Sequence, residues 1–98
     1  MKNKMKIFTL QDHLRKSLKD PEFRKAWEES EVEYNLMVEL IEKRLKRKLS
    51  QRTLAKKVGT SQSVIARIEG MDANPSLLLL KRIAKSLNSS LQIKFVSR

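Results

Sequence analysis

The chain has 98 residues, room for one small domain near the ~100-residue size of a self-sufficient core and too few for a large catalytic scaffold. Its 22 Lys and Arg against 11 Asp and Glu give a net charge of +11, so the expected partners are negatively charged, nucleic acid first. The longest apolar run, Leu77 to Leu80, is far shorter than the roughly 20 residues that cross a bilayer, and no apolar signal segment follows the basic start. A soluble, cytoplasmic chain with no membrane contact is expected. With no cysteine there is no disulfide framework, thiol nucleophile or Cys-ligated zinc, and one histidine cannot build a histidine metal cluster. No metal or other cofactor is expected, and His13 reads as a surface helix residue. Two glycines, two prolines and 5% aromatics suit short helices better than a sheet with many turns.

Charge divides the chain. Residues 1–42 hold eight basic and nine acidic side chains, whereas residues 43–98 hold fourteen basic and two acidic. Met1 to Phe8 carry no turn or cap signal, and Lys6 to Phe8 read as frayed or extended. Thr9 can cap a short helix with Leu10, Leu14 and Leu18 at four-residue spacing. Asp20 as cap and Pro21 at the first helical position start a second helix with Phe23 and Trp27 on one face. Ser30 with Glu33 three residues on forms a capping box, which predicts an end near Glu29 and a third helix from Glu31. That third helix places Tyr34, Met37, Val38, Ile41 and Leu45 at helical spacing. Its basic end, Lys43 to Lys48, serves either as a solvated turn matched to the helix dipole or as a phosphate contact.

Ser50 then caps a helix from Gln51 to Val58, Gly59 ends it, and Ser61 caps another to about Glu69. Ser76 starts a last helix through about Leu87, with core positions 77, 80, 83, 84 and 87. This phase turns Leu78 and Leu79 outward, as a dimer or partner contact or as scattered exposure. Leu91 to Phe95 alternate apolar and polar residues as a half-buried β-strand does. A lone strand needs a partner, either Lys6 to Thr9 or a second chain, which makes Ile93 and Phe95 further candidate contacts.

The stretch Ser50 to Glu69 carries the chemistry. Ala55 must be small where two helices cross, Gly59 takes the positive φ of a tight turn, and Leu54, Val58, Val64, Ile65 and Ile68 fill the wedge between them. A helix so presented fits the major groove, where an amide near its N-terminus can bond two edge atoms of adenine. Gln62 is the first candidate for base reading, flanked by Ser61 and Ser63, with Arg67 one turn beyond. Ser61 serves equally as a cap hydroxyl, and Arg67 equally as a phosphate contact or a partner near Glu69. Gln51 sits where a side chain and backbone N–H can clamp a phosphate, with Arg52 and Thr60 nearby.

Residues 50–87 resemble the DNA-binding domain of the phage-repressor (XRE, Cro/C1-type) family. The likeness covers Ala55, Gly59, the apolar positions, Arg67-Ile68-Glu69, Asn74-Pro75, Leu80, Ile83, Ala84 and Leu87. It implies an all-α, lambda-repressor-like helix-turn-helix bundle, here with extra N-terminal helices and a short C-terminal β-strand. It also implies a homodimer on double-stranded operator DNA. The order Gly70, Met71, Asp72 departs from the family, which often has a basic residue in this loop, so no phosphate contact is expected there.

Asp20-Pro21-Glu22-Phe23, the Tyr34 helix, this motif and the alternating end together resemble HigA-type antitoxins of type II toxin-antitoxin operons. That resemblance implies a RelE/HigB-like mRNA-cleaving toxin as partner, and a division into residues 1–30, an extension for toxin contact, and 31–98, the helix-turn-helix domain with its strand. Phe23, Trp27 and Tyr34 are the candidate toxin contacts; Phe23 and Trp27 serve as an aromatic anchor or close onto their own core. A stand-alone repressor without toxin is the competing function. A nuclease is disfavoured, because Glu69 and Asp72 are the only acids after position 42.

Overall fold

The computed structural model describes residues 12–13 and 15–97. Thr9, Leu10, Leu14 and the extended reading of Lys6 to Phe8 lie outside them. Residues 12, 13 and 15–17 are helical and the chain turns at 18–19. Asp20 then caps α1, Pro21–Lys46, accepting a 3.0 Å hydrogen bond from the Glu22 N–H. Proline is tolerated here because the first helical N–H has no intrahelical acceptor to lose.

The break expected at Ser30 does not occur, and α1 runs unbroken for 26 residues, about 39 Å at 1.5 Å per residue. No Gly or Pro interrupts Glu22 to Lys46. The Ser30 hydroxyl donates to the Ala26 carbonyl at 2.9 Å, back-bonding to its own helix instead of capping a new one. Burial divides this helix where the break was expected: Met37, Val38 and Leu40 are buried, whereas Val32 and the acids before it are exposed. Lys48 ends the element in the left-handed conformation, and the Leu49 N–H reaches back to the Arg44 carbonyl at 3.1 Å.

Three short helices follow, each opened by a serine whose hydroxyl accepts from the backbone three residues on: α2, Gln51–Val58, α3, Gln62–Glu69, and α4, Leu77–Ser86. Leu40, Leu54, Ala55, Val58, Ile65, Ile68, Ile83 and Leu87 form the core, with Leu54 and Ile65 fully buried. A second cluster gathers Met37 and Val38 with Tyr34, Ile41, Leu45 and Met71. Among the described residues no strand forms, and residues 91–97 have no regular structure. The expected C-terminal strand is therefore absent; a single extended segment has no ladder to join.

The face of α4 also differs from expectation. Leu77 and Leu78 are 58 and 59% exposed, while Leu79 packs against the core. At about 100° per residue, position 79 lies about 40° from the buried Ile83, against about 120° for 77 and 140° for 78. Leu79 is thus a packing residue rather than an outward contact, and Leu77 exchanges roles with it.

Tyr34 carries a testable consequence. Its hydroxyl is buried and has no hydrogen-bond partner among the described residues, and burial pushes the phenol above its usual 10.0. A phenol raised in the folded state contributes stability that is complete below the unfolded value and is lost as pH rises through the folded one. Absorbance titration of this single tyrosine should therefore give a midpoint above that of free tyrosine. Tyr34→Phe, which removes an unpaired polar atom, should leave stability unchanged or slightly raised at neutral pH and flatten its alkaline decline. A midpoint at the free value would contradict the burial.

Candidate nucleic-acid interface

The geometry between α2 and α3 follows from one residue. Gly59 adopts φ 84° and ψ 36°, and the N–H groups of Gly59 and Thr60 both reach the Ala55 carbonyl at 2.9 Å. A side chain at Gly59 would meet open space, so positive φ rather than crowding makes glycine the suitable residue here. Ala55, 2% exposed, lies in the core that joins the two helices. Gly70, by contrast, has φ −94°, and the left-handed turn after α3 falls on Met71 at φ 59°.

This turn presents α3 with Ile65, Ile68 and Glu69 inward and Ser61, Gln62, Ser63 and Arg67 exposed. Gln62 stands in the first turn, free to reach a ligand. The Ser61 hydroxyl accepts from the Val64 N–H at 3.3 Å and pairs with the Ser63 hydroxyl at 3.0 Å. Its capping role is thus filled within the fold, and the two hydroxyls act as a unit. Arg67 donates from Nε to the Asp72 carbonyl oxygen at 3.1 Å; it is tethered to the loop, and Glu69 is not its partner. Arg52, in the first turn of α2, is exposed, and Thr60, in the turn between α2 and α3, is half-buried.

Glu69 instead pairs with Arg44 through two hydrogen bonds, 2.6 Å from Nε and 2.9 Å from Nη2, with both side chains largely buried. Arg44 Nη1 also donates to the Leu49 carbonyl at 2.8 Å, and Gln51 Nε2 donates to Glu69 at 3.0 Å. This cluster fastens the end of α1, the turn after it, the start of α2 and the end of α3 to one another. It bears on two expectations. The half-buried Gln51 side chain is engaged by Glu69, which favours its backbone N–H as the group that meets a phosphate. The basic run from Lys43 to Lys48 is not uniformly a solvated or phosphate-facing stretch, because Arg44 turns inward while Lys43, Lys46, Arg47 and Lys48 are exposed. Sequence reading missed the pair; its one signal was that Glu69 is one of only two acids within the strongly basic half.

Of the two acids after position 42, Glu69 is therefore neutralised by Arg44 and Asp72 is exposed. Among the described residues no group of His, Asp or Glu is placed to hold a metal ion, and no helix is long and apolar enough to cross a membrane.

A small four-helix unit that projects the second of two glycine-linked helices with polar side chains outward is the architecture of a DNA-binding regulator. Residues 40–94, more than half of the chain, match the helix-turn-helix family HTH_3. The chain belongs to this XRE-type family, which is a family of DNA-binding domains and not of enzymes. No curated protein and no solved structure matches the chain.

Proposed function

We propose that this protein is an antitoxin of the HigA kind, with two separate binding roles. As a homodimer it binds a palindromic operator with half-sites about 34 Å apart, α3 entering the major groove. Gln62 reads base edges, Ser61, Ser63 and Arg67 adjoin it, and Arg52, Thr60 and the backbone N–H of Gln51 hold phosphates. Its N-terminal extension, residues 1–30 together with Tyr34, captures a small basic RelE/HigB-like mRNA-cleaving toxin, so that the protein silences the toxin and represses its own operon.

Toxin capture is supported by one observation above all, the change in character of α1 along its length. Its last part is buried in the helix-turn-helix unit, while its first part exposes five acids, Glu22, Glu28, Glu29, Glu31 and Glu33, against the two bases Arg24 and Lys25, around an aromatic group. Trp27 stacks edge-on to Tyr34 with centroids 4.6 Å apart, and Phe23, one turn before Trp27, is exposed. Acidic surface around aromatic side chains suits a basic protein partner, since charge steers encounter and buried aromatics dominate affinity.

Co-expression with the product of the neighbouring gene tests this reading. The tagged chain should retain that product, and Trp27→Ala should weaken retention by at least about 2 kcal/mol, as loss of an aromatic anchor does, with DNA binding unchanged. Operator binding without any captured product would leave a stand-alone repressor. Unfolding by Trp27→Ala would assign the ring to the protein's own packing.

A further inference from the structure

α1 packs on α3 and α4 packs on α2, which leaves a groove between α1 and α4. It holds about 460 Å³ and adjoins a hollow of about 220 Å³ that shares Leu36 and Leu80 with it. Leu36 and Leu40 form one wall, Leu80 and Leu87 the other, with polar side chains such as Glu39 and Lys43 among them, and the lining runs on to Gln92. One residue further on, the chain carries Ile93, Phe95 and Val96 at 63, 104 and 73% exposure. An open, partly apolar groove and three uncovered apolar side chains thus lie next to each other in one molecule, an arrangement that water opposes.

The tail does not fill its own groove. Leu91 and Gln92 reach its lining, yet Ile93, Phe95 and Val96 beyond them stay exposed. Its dimensions nevertheless fit: four extended residues cover about 13 Å, and Leu80 to Leu87 span about 10 Å along α4. The lining carries one exposed acid, Glu39, and one exposed base, Lys43, and Glu39 is the group that Lys94, between Ile93 and Phe95, can meet. We infer that the α1–α4 groove receives residues 93–97 of a second copy of this chain, exchanged reciprocally between two protomers. Phe95 is the anchor, Ile93 lies on the same side, and Lys94 meets Glu39 at the rim. This inference rests on the homodimer proposed above and specifies how it is made.

Sedimentation equilibrium on four forms tests it: the full chain, a chain ending at Gln92, Phe95→Asp, and Ala84→Arg, which places a long charged side chain in the groove. Circular dichroism checks that each form keeps its helices. The full chain should be a dimer, and each altered form should dimerise at least about 100-fold more weakly, as expected when a central aromatic anchor is lost. Mixing the shortened chain, which keeps its groove, with Ala84→Arg, which keeps its tail, should restore heterodimers. A shortened chain that still dimerises would overturn the exchange and leave the homodimer standing. A monomeric full chain would overturn both.

Discussion

Arg44→Met should cost about 3–5 kcal/mol of folding stability, because it leaves the Glu69 carboxylate buried without its counter-charge. The two hydrogen bonds to Arg44 are lost together, and the Leu49 carbonyl loses its guanidinium donor. Gln51 alone remains as a neutral donor to Glu69. A domain of this length holds only about 5–15 kcal/mol in total, so the variant sits near its unfolding limit. Replacing both partners, Arg44→Met with Glu69→Leu, should recover most of the loss, since apolar residues of similar size remove the desolvation cost as well as the attraction. Urea unfolding of the two single variants and the double variant forms the cycle. Additive losses would mean that the pair is not energetically coupled.

Ile65→Ala should cost about 2–5 kcal/mol, the range for emptying a fully buried branched aliphatic position. Ile65 is 0% exposed and sits in the core with Leu54, Val58 and Ile68, so α3 would lose the contact that holds it against α2. The cost falls on folding rather than on DNA chemistry, because Ile65 and the exposed Gln62 occupy different sides of α3. At a temperature where the variant is fully folded, its operator affinity should approach that of the parent chain. A loss below about 1 kcal/mol would show a core that closes over the cavity, contrary to the tight burial found here.

The helix-turn-helix unit was legible because its determinants are local. Ser50, Ser61 and Ser76 each cap the helix that follows from a position where only a short polar side chain can accept the free N–H groups, and Gly59 supplies the only glycine with positive φ. The misreadings came from determinants that are not local. Arg44 and Glu69 are 25 positions apart, and nothing within α1 or α3 alone indicates that they meet. The Ser30–Glu33 pattern has the form of a cap, yet a cap forms only where the chain has reason to leave the helix, and no breaker lies there. Leu77 and Leu79 exchanged roles because four consecutive leucines carry no periodicity, so packing against α2 chose the face. The alternation from Leu91 to Phe95 is genuine, but a strand is a property of two segments, and this pattern specifies one.

The claim that α3 reads sequence through Gln62 is tested most directly by measuring the affinity of the parent chain and Gln62→Ala for an operator selected from random duplexes and for unrelated DNA, across a series of salt concentrations. The expected result is a loss of about 1–3 kcal/mol on the selected operator, relaxed preference at one base pair in each half-site, and unchanged binding to unrelated DNA with the same salt slope. Equal losses on both DNAs, or none on either, would contradict it.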